Sequence, residues 1–542
     1  MNVLIDFFRT RSSFPPSRLV WMAAVAGISN AFLLYVLNAG AANAVHGDAL
    51  GWLLFAFVAT LSVFIFSQRY LFVTTTMELE KILHAYRMQQ VERVRHCDLD
   101  ALEDIGAAVI FGVLTRQTLI ISTAGGPIVL GAQAVVVVAF GLVYLAWLSI
   151  AALLVAVMII GVGAVVYQSR MNLARIGLAE VRAKENELFN SIRDLIDGFK
   201  EIRLNVRRSA DLSAFIERIS RAVLDTSVKV YRKLTELFVF GQIVFFGAAA
   251  AIVFLLPGMG FVESEDLLKA LTVILFLMGP ITAITGASPA IAKARASCEA
   301  LLDLERQLEA AARRSHATSE RLTTFEQIEL RGVVYQHKLA GVNGGFEVGP
   351  IDLQLRRGEL LFISGGNGSG KSTLLKLVTA LYVPQMGELV VDGAAVNADR
   401  REAYQNLFST VFSDFHLFDR TFGLGDVSSE QVSEWLARME IDGKTRLHQG
   451  QFDTIRLSTG QRKRLALVVA ALEDRPIYVL DEFAADQDPS FRRKFYDELL
   501  PALHERGKTV IVVTHDERYF HRATRHLTME EGRFVEGGAS RA

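Results

Sequence analysis

Between Gln117 and Ser169 the chain carries no charged side chain. A stretch of that kind is not the surface of a water-soluble fold. It calls for segments that satisfy their own backbone groups inside lipid. Four more charge-free windows run from Leu19 to Val45, Ala49 to Gln68, Leu237 to Val262 and Ala270 to Ala292. One crossing takes ~20 apolar residues, so the longest window suits two helices, broken near Trp147 to Ser149, and each of the others suits one. The expectation is an all-α membrane domain of six helices, at approximately 19-40, 49-72, 121-145, 148-168, 236-257 and 267-290. Apolar residues make up 51% of the chain and charged residues 21%, so charge is concentrated outside these windows.

The connections tell which side each loop faces. Ala39 to Asp48 and Pro257 to Asp266 hold no Lys or Arg, and the second carries Glu263, Glu265 and Asp266. The long connections are basic, with Lys81, Arg87, Arg93, Arg95 and Arg116 in one and Arg170 through Lys233 in the other. Both long connections and both termini are therefore expected in the cytoplasm. Met1 to Arg18 reads as an amphipathic interfacial segment feeding the first helix, since no small-residue cleavage site leads to a polar mature domain. Thr76 to Arg95 and Ala179 to Ile202 mix apolar and charged residues at helical spacing, as membrane helices continuing into the cytoplasm would. Breaks near His96 to Asp104 and Leu204 to Asp211 are expected to place short turns or helices at the far tips. Net charge is −1, which gives no field favouring nucleic acid, and Cys97 and Cys298 read as two free thiols.

After Lys293 to Arg321, an Ala-, Arg- and Glu-rich helix and linker, the composition changes to that of a soluble α/β domain, with the boundary placed near residue 320. Phe325 to Leu330, Ile351 to Leu355 and Glu388 to Val391 read as strands. Leu360 to Ser364 enters a loop of Gly365, Gly366, Asn367, Gly368, Ser369 and Gly370, followed by Lys371, Ser372, Thr373 and a helical pattern. This is G-x-x-x-x-G-K-[ST] between a strand and a helix. Such a loop turns backbone N–H groups onto phosphates, its lysine reaches the β- and γ-phosphates, and its serine hydroxyl is a Mg²⁺ ligand. The motif points to ATP binding and hydrolysis.

Three further clusters fit that chemistry. Leu457-Ser458-Thr459-Gly460-Gln461 opens a helix that continues with Arg462, Lys463 and Arg464, a second phosphate-facing helix start. Taken alone it also reads as an ordinary N-capped helix. Ile477 to Leu480 is a buried-strand pattern ending in Asp481, placed to bind Mg²⁺, and Glu482, placed to polarise the attacking water. A strand at Thr509 to Val513 ends at Thr514-His515-Asp516, where His515 is placed to contact the γ-phosphate or to cap.

These elements occur in the order of an ATP-binding cassette, and with six spans before them the whole chain resembles an ABC exporter half-transporter. GGNGSGKST, VFSDFHLF and LDEFAADQDPSFRRKFY are similar to the subgroup that exports cyclic or nonribosomal peptides, siderophore precursors and lipopeptides. The resemblance implies a membrane domain at 1-320 and a cassette at 321-542. It implies that Lys371, Ser372 and the Gly365 to Gly370 backbone hold phosphates and Mg²⁺. Ser458, Thr459, Gly460 and Gln461 would meet the ATP on the opposite subunit of a homodimer. Glu482 would be the catalytic base, His515 the switch histidine and Asp488 the D-loop acid. Three positions depart from the family pattern. Ser413 stands at the Q-loop glutamine, too short to reach Mg²⁺ in the same way. Thr459 replaces a signature glycine. His337 falls where an adenine-stacking aromatic is usual, with Tyr335 two residues earlier, and either ring is placed to stack. The implied activity is ATP-driven export across a bacterial inner membrane. A lipid flippase or multidrug exporter is the runner-up, and a cassette that gates a pore without pumping is the rival from another class.

Overall fold

The computed structural model describes residues 7–8, 11, 16–46, 51–257, 264–311, 322–337, 345–425 and 427–535. The expected boundary near residue 320 lies outside them, as do most of Met1 to Arg18 and the middle of the acidic connection after Pro257. Six of the described helices are long and apolar enough to cross a membrane. They lie in α1 (Pro16–His46), α2 (Gly51–Arg95), α4 (Ala107–Leu148), α5 (Ile150–Asp197), α7 (Val206–Leu255) and α8 (Ser264–Ala311), with short helices α3 (Leu99–Ile105) and α6 (Phe199–Arg203) between them. The break expected near Trp147 to Ser149 falls at Ser149. Its backbone is extended, and its hydroxyl accepts a bond from the Ala152 amide at 3.2 Å, which starts α5.

α2 has 45 residues and α5 has 48. At ~1.5 Å per residue each is roughly twice the ~30 Å hydrocarbon core, so both continue well past it. The first turn region matches its expectation: α2 stops at Arg95, Asp98 is extended, and Gly106, at φ +84°, ends α3. In the second, breaks occur at Gly198 and at Leu204 and Asn205, and the helix resumes at Val206, because the Asn205 side chain caps α7 by accepting from the Arg208 amide at 3.0 Å.

The chain forms two compact units, one of Met1–Met88 with Phe111–Leu304 and the other of Gln89–Ile110 with Glu305–Ala542. In the first, Trp21, Trp52, Phe55, Phe66, Trp147 and Phe254 are exposed. So much outward aromatic surface on long apolar helices calls for an apolar surrounding such as lipid.

The second unit is built on two sheets. A mostly parallel sheet contains β3 (Leu360–Ser364), β5 (Phe408–Val411), β6 (Ile477–Asp481), β7 (Thr509–Val513), β8 (Arg525–Glu530) and the short antiparallel β9 (Arg533–Phe534), in the order β9-β8-β3-β7-β6-β5. An antiparallel sheet contains β1 (Gln327–Gln336), β2 (Glu347–Arg356) and β4 (Met386–Val391), with β1 central. The first strand starts later than Phe325; that ring is instead buried in the core. Side chains alternate across the parallel sheet. Leu361, Ile363, Val479 and Ile511 pack toward the antiparallel sheet, while Leu360, Phe362, Leu480 and Val512 pack under the helical side. Both faces are thus covered, as a parallel sheet requires.

Residues 89–110 belong to this unit, and α3 is tied to the cassette by charge. Arg401 meets Asp98 at 2.9 Å, Lys376 meets Glu103 at 3.0 Å, and the Tyr382 hydroxyl donates to Glu103 at 2.5 Å.

A candidate nucleotide site at the end of the parallel sheet

The strand β3 releases its chain at Gly365, where only glycine fits. At φ +151° an added Cβ would lie 2.1 Å from the Met529 carbonyl oxygen. The loop returns to begin helix α9 (Lys371–Val378) at Gly370. Lys371 is buried and donates to the carbonyls of Gly365 at 3.0 Å and Gly366 at 2.8 Å, so its ammonium is held inside the curl of the loop. The Ser369 hydroxyl is buried in the same loop with no hydrogen-bond partner. A buried polar atom left unpaired beside a trapped cation and a helix N-terminus is the mark of an anion cradle.

The neighbouring strand ends deliver the acids. The Ser372 hydroxyl donates to Asp481 Oδ2 at 3.2 Å, and the Ser413 amide approaches the same oxygen at 3.4 Å. Burial holds the Asp481 carboxyl above the usual carboxylate range and the adjacent Glu482 adds to this, against the bonds from Ser413 and Ser372. A buried carboxylate and a serine hydroxyl converging on one point form the hard-oxygen set that Mg²⁺ takes, so these residues fit the metal. Ser413, placed at the Q-loop by sequence, reaches this cluster with both its hydroxyl and its backbone amide.

Without metal, that carboxylate is a cost. A carboxyl raised on folding binds protons more tightly in the native state, so stability falls as pH rises through its folded value; below the unfolded value of about 4 the penalty is absent. Asp481→Asn is therefore expected to raise the unfolding midpoint of the nucleotide- and metal-free protein at pH 7. The gain should be present at pH 7 and shrink toward pH 4, as read by thermal denaturation across pH.

Glu482 follows in the left-handed region, at φ +48°, a strained conformation for a residue with a Cβ. Its amide donates to the Val513 carbonyl at 3.0 Å, and its carboxylate lies 3.2 Å from His515 Nε2. His515 is carried there by the end of β7, so two parallel strands present the pair side by side.

At the other end of the β3 loop, His337 Nε2 lies 3.0 Å from the Thr373 hydroxyl. Tyr335 is buried and stacks on Tyr382, with centroids 4.6 Å apart, and His337 meets it edge-on. The Tyr335 ring is occupied by core packing, whereas His337 is the ring left at the loop.

The remaining cluster stands apart, after helix α10 (Ser429–Arg438) in the chain. Ser458 caps helix α11 (Thr459–Glu473) in a capping box with Gln461, each side chain bonding the other's backbone. The Thr459 and Gly460 amides are thereby left without intrahelical acceptors, as in any first turn. Among the described residues no hydrogen bond or ion pair joins Ser458 to Gln461 with the β3 loop. Asp488 caps helix α12 (Pro489–Lys494) and meets Arg464 at 2.5 Å. The Ser490 hydroxyl, the Phe491 amide and Arg464 hold it far below the usual carboxylate range. Sequence reasoning gave Lys463 no role. It is buried, donates to the Glu482 carbonyl at 2.8 Å and pairs with Asp486 at 2.7 Å. Its only sequence signal is a place in the middle of three consecutive basic residues at the start of an otherwise apolar helix.

A phosphate cradle, an adjacent acid pair and a second helix start on a two-sheet cassette, in a chain with six membrane helices, define a class of ATP-driven membrane pump. The comparisons with known proteins agree. Residues 348–485 match the family model described as ABC transporter. The chain is 34% identical over 485 residues to the "ATP-binding protein SyrD" of Pseudomonas syringae pv. syringae, covering 84% of this chain and 82% of that one. It is 26% identical over 420 residues to the "ATP-dependent lipid A-core flippase" of Pseudomonas aeruginosa, covering 74% and 68%. The fold aligns with a bacterial Atm1-family ABC exporter solved with ATP bound, at a TM-score of 0.73 and 16% identity over 98% of this chain and 95% of that one. The chain belongs to the ABC transporter family, as a half-transporter with a membrane domain fused to an ATP-binding cassette. It is an ATPase coupled to transport, and half-transporters of this family work as dimers.

Proposed function

We propose that this protein exports a peptide-type cargo (a cyclic, nonribosomal or modified peptide, a siderophore precursor or a lipopeptide) from the cytoplasm across the bacterial inner membrane. In this reading two copies form a homodimer, with domains at 1–320 and 321–542, and both termini and the cassettes are cytoplasmic. The observation that carries the cargo class is a cavity of about 410 Å³ among α5, α7 and α8, with no charged residue in its lining. Tyr167, Phe240 and Phe245 supply apolar walls, and Gln168, Gln242 and Thr285 supply amide and hydroxyl groups suited to a neutral amide-bearing molecule. The match to the "ATP-binding protein SyrD" across both halves of the chain supports ATP as the energy source in this reading. The flippase relatives by name favour a second reading, lipid translocation.

The proposed chemistry follows from the placement of the groups. Lys371 and the loop amides bind the phosphates, and Ser372 with Asp481 would hold Mg²⁺. That ion, when bound, neutralises phosphate charge. Glu482 orients and deprotonates the attacking water, and His515 holds the Glu482 carboxylate in place. His337 offers its ring to the base. Ser458, Thr459, Gly460 and Gln461 present their helix start to the nucleotide of the partner, and Asp488 shapes the segment beside it. Closure of the cassettes on ATP supplies the differential affinity that switches the membrane domain.

The test is ATP-dependent uptake into inverted vesicles with a panel of peptides, lipopeptides and lipids. Uphill accumulation of a peptide with stimulated ATPase is expected. Stimulation by lipids alone would replace this reading with the second, and flux only down a gradient would make the protein a gated pore. Glu103→Lys sets like charge against Lys376 on the cassette. It is expected to cut transport about tenfold while basal ATPase stays within about twofold, the scale of a 1–3 kcal/mol coupling energy.

A further inference from the structure

Lys463 is 3% exposed, and an ammonium is not buried without acceptors in place. It has two. Its Nζ donates to the Glu482 carbonyl at 2.8 Å and meets Asp486 Oδ2 at 2.7 Å. Both acceptors lie on the segment that follows β6, where Glu482 adopts its left-handed backbone and a short 3-10 turn runs from Phe483 to Asp486. That conformation is disfavoured for any residue with a Cβ and persists only where its surroundings over-determine it. The Glu482 amide is held from the sheet by Val513. Its carbonyl is held from the opposite side by Lys463, with a weaker contact from the Ala485 amide at 3.3 Å.

The attachment is to a particular helix. Lys463 lies one turn into α11, behind the Ser458 cap. The start of α11 is pressed onto the same turn. A Cβ at Gly460 would meet the Asp486 carbonyl oxygen at 2.5 Å, and Gln487 Nε2 donates to the Gly460 carbonyl at 3.1 Å. Arg464 extends the contact to Gln487 at 2.8 Å and to Asp488. The helix start and the Glu482 turn are therefore fastened together, and from this helix Lys463 is the group that reaches the Glu482 peptide itself.

We infer that Lys463 is a positioning residue for the reaction: it sets the orientation of the Glu482 carboxylate from the Ser458 helix. In the dimer, where that helix start engages the partner's nucleotide, Lys463 relays this engagement to the base of its own subunit. The inference rests on the reading of Glu482 as the base.

The test uses the full chain in lipid nanodiscs, with ATP turnover and nucleotide affinity measured side by side. Lys463→Met keeps the length and removes the donors. It is expected to lower kcat about tenfold or more, with KM and nucleotide Kd within about twofold, because a misaimed base costs rate and not binding. Lys463→Arg should recover a large part of the loss, which a mere packing role would not allow. Asp486→Asn, at the more exposed partner, should lower kcat about threefold with the same split, and it decides the matter if Lys463→Met does not fold. Wild-type kcat in either folded variant, or a rise in KM with kcat intact, overturns the inference. Glu482→Gln separates the two readings. If that variant is inactive while Lys463→Met is normal, only the role of Lys463 falls; if it turns over at full speed, the base assignment falls and this inference with it.

Discussion

Glu482→Gln is expected to lower steady-state ATP turnover by about two to four orders of magnitude, the range supplied by a positioned general base. ATP affinity should be nearly unchanged. The amide keeps the shape of the carboxylate and its place beside His515, now at 3.2 Å, but it cannot accept a proton from water. The groups proposed to hold phosphate are separate: Lys371 is fastened to the carbonyls of Gly365 and Gly366, and Ser372 to Asp481. Binding and chemistry therefore part company in this variant, and ATP should remain occluded in a closed dimer. Turnover comparable to wild type, in a single-turnover assay with radiolabelled ATP, would remove Glu482 from the mechanism.

The second large effect is one of assembly. Among the described residues no hydrogen bond or ion pair brings the Ser458 helix start to the β3 loop, and in the proposed dimer a complete site takes one half from each of two copies. Lys371→Ala damages the cradle, and Ser458→Arg places a bulky cation where the helix start should face phosphate. Each variant alone, in a Glu482→Gln background, is expected to occlude almost no ATP. Mixed dimers isolated through two different affinity tags carry one intact pair, because the undamaged Lys371 loop of one copy meets the undamaged Ser458 loop of the other. They should occlude about one ATP per dimer against about two in the parent, as two-fold symmetry requires. Occlusion by the Ser458→Arg variant alone at the parent level, or by an isolated subunit, would sink the shared-site reading.

Much of this protein was legible along the chain because its strongest constraints are local. The charge-free windows mark six helices, since lipid tolerates no unpaired backbone and few charges over ~20 residues. The β3 loop is readable because phosphate binding needs glycine, lysine and serine at consecutive positions on one turn. The acid pair is readable because a parallel strand exports its last residues to the sheet edge. Weaker elements were missed: β5 and β9 are short, and β8 is a half-buried, largely polar run (Arg525–Glu530), so only their neighbours in the sheet define them.

What remained open depended on partners distant in sequence. Tyr335 and His337 are equivalent as rings two residues apart, until Tyr382 stacks on one and leaves the other beside Thr373. Ser413 lacks the reach of a glutamine, yet its backbone amide joins Asp481 because β5 and β6 are paired. Lys463 is one basic residue among three in a row, and only the packing of α11 against the turn after β6 makes it the neighbour of Glu482. Periodicity and motif spacing act over a few residues, whereas the burial of a charge and the strain at Glu482 are settled by chain segments that only folding brings together.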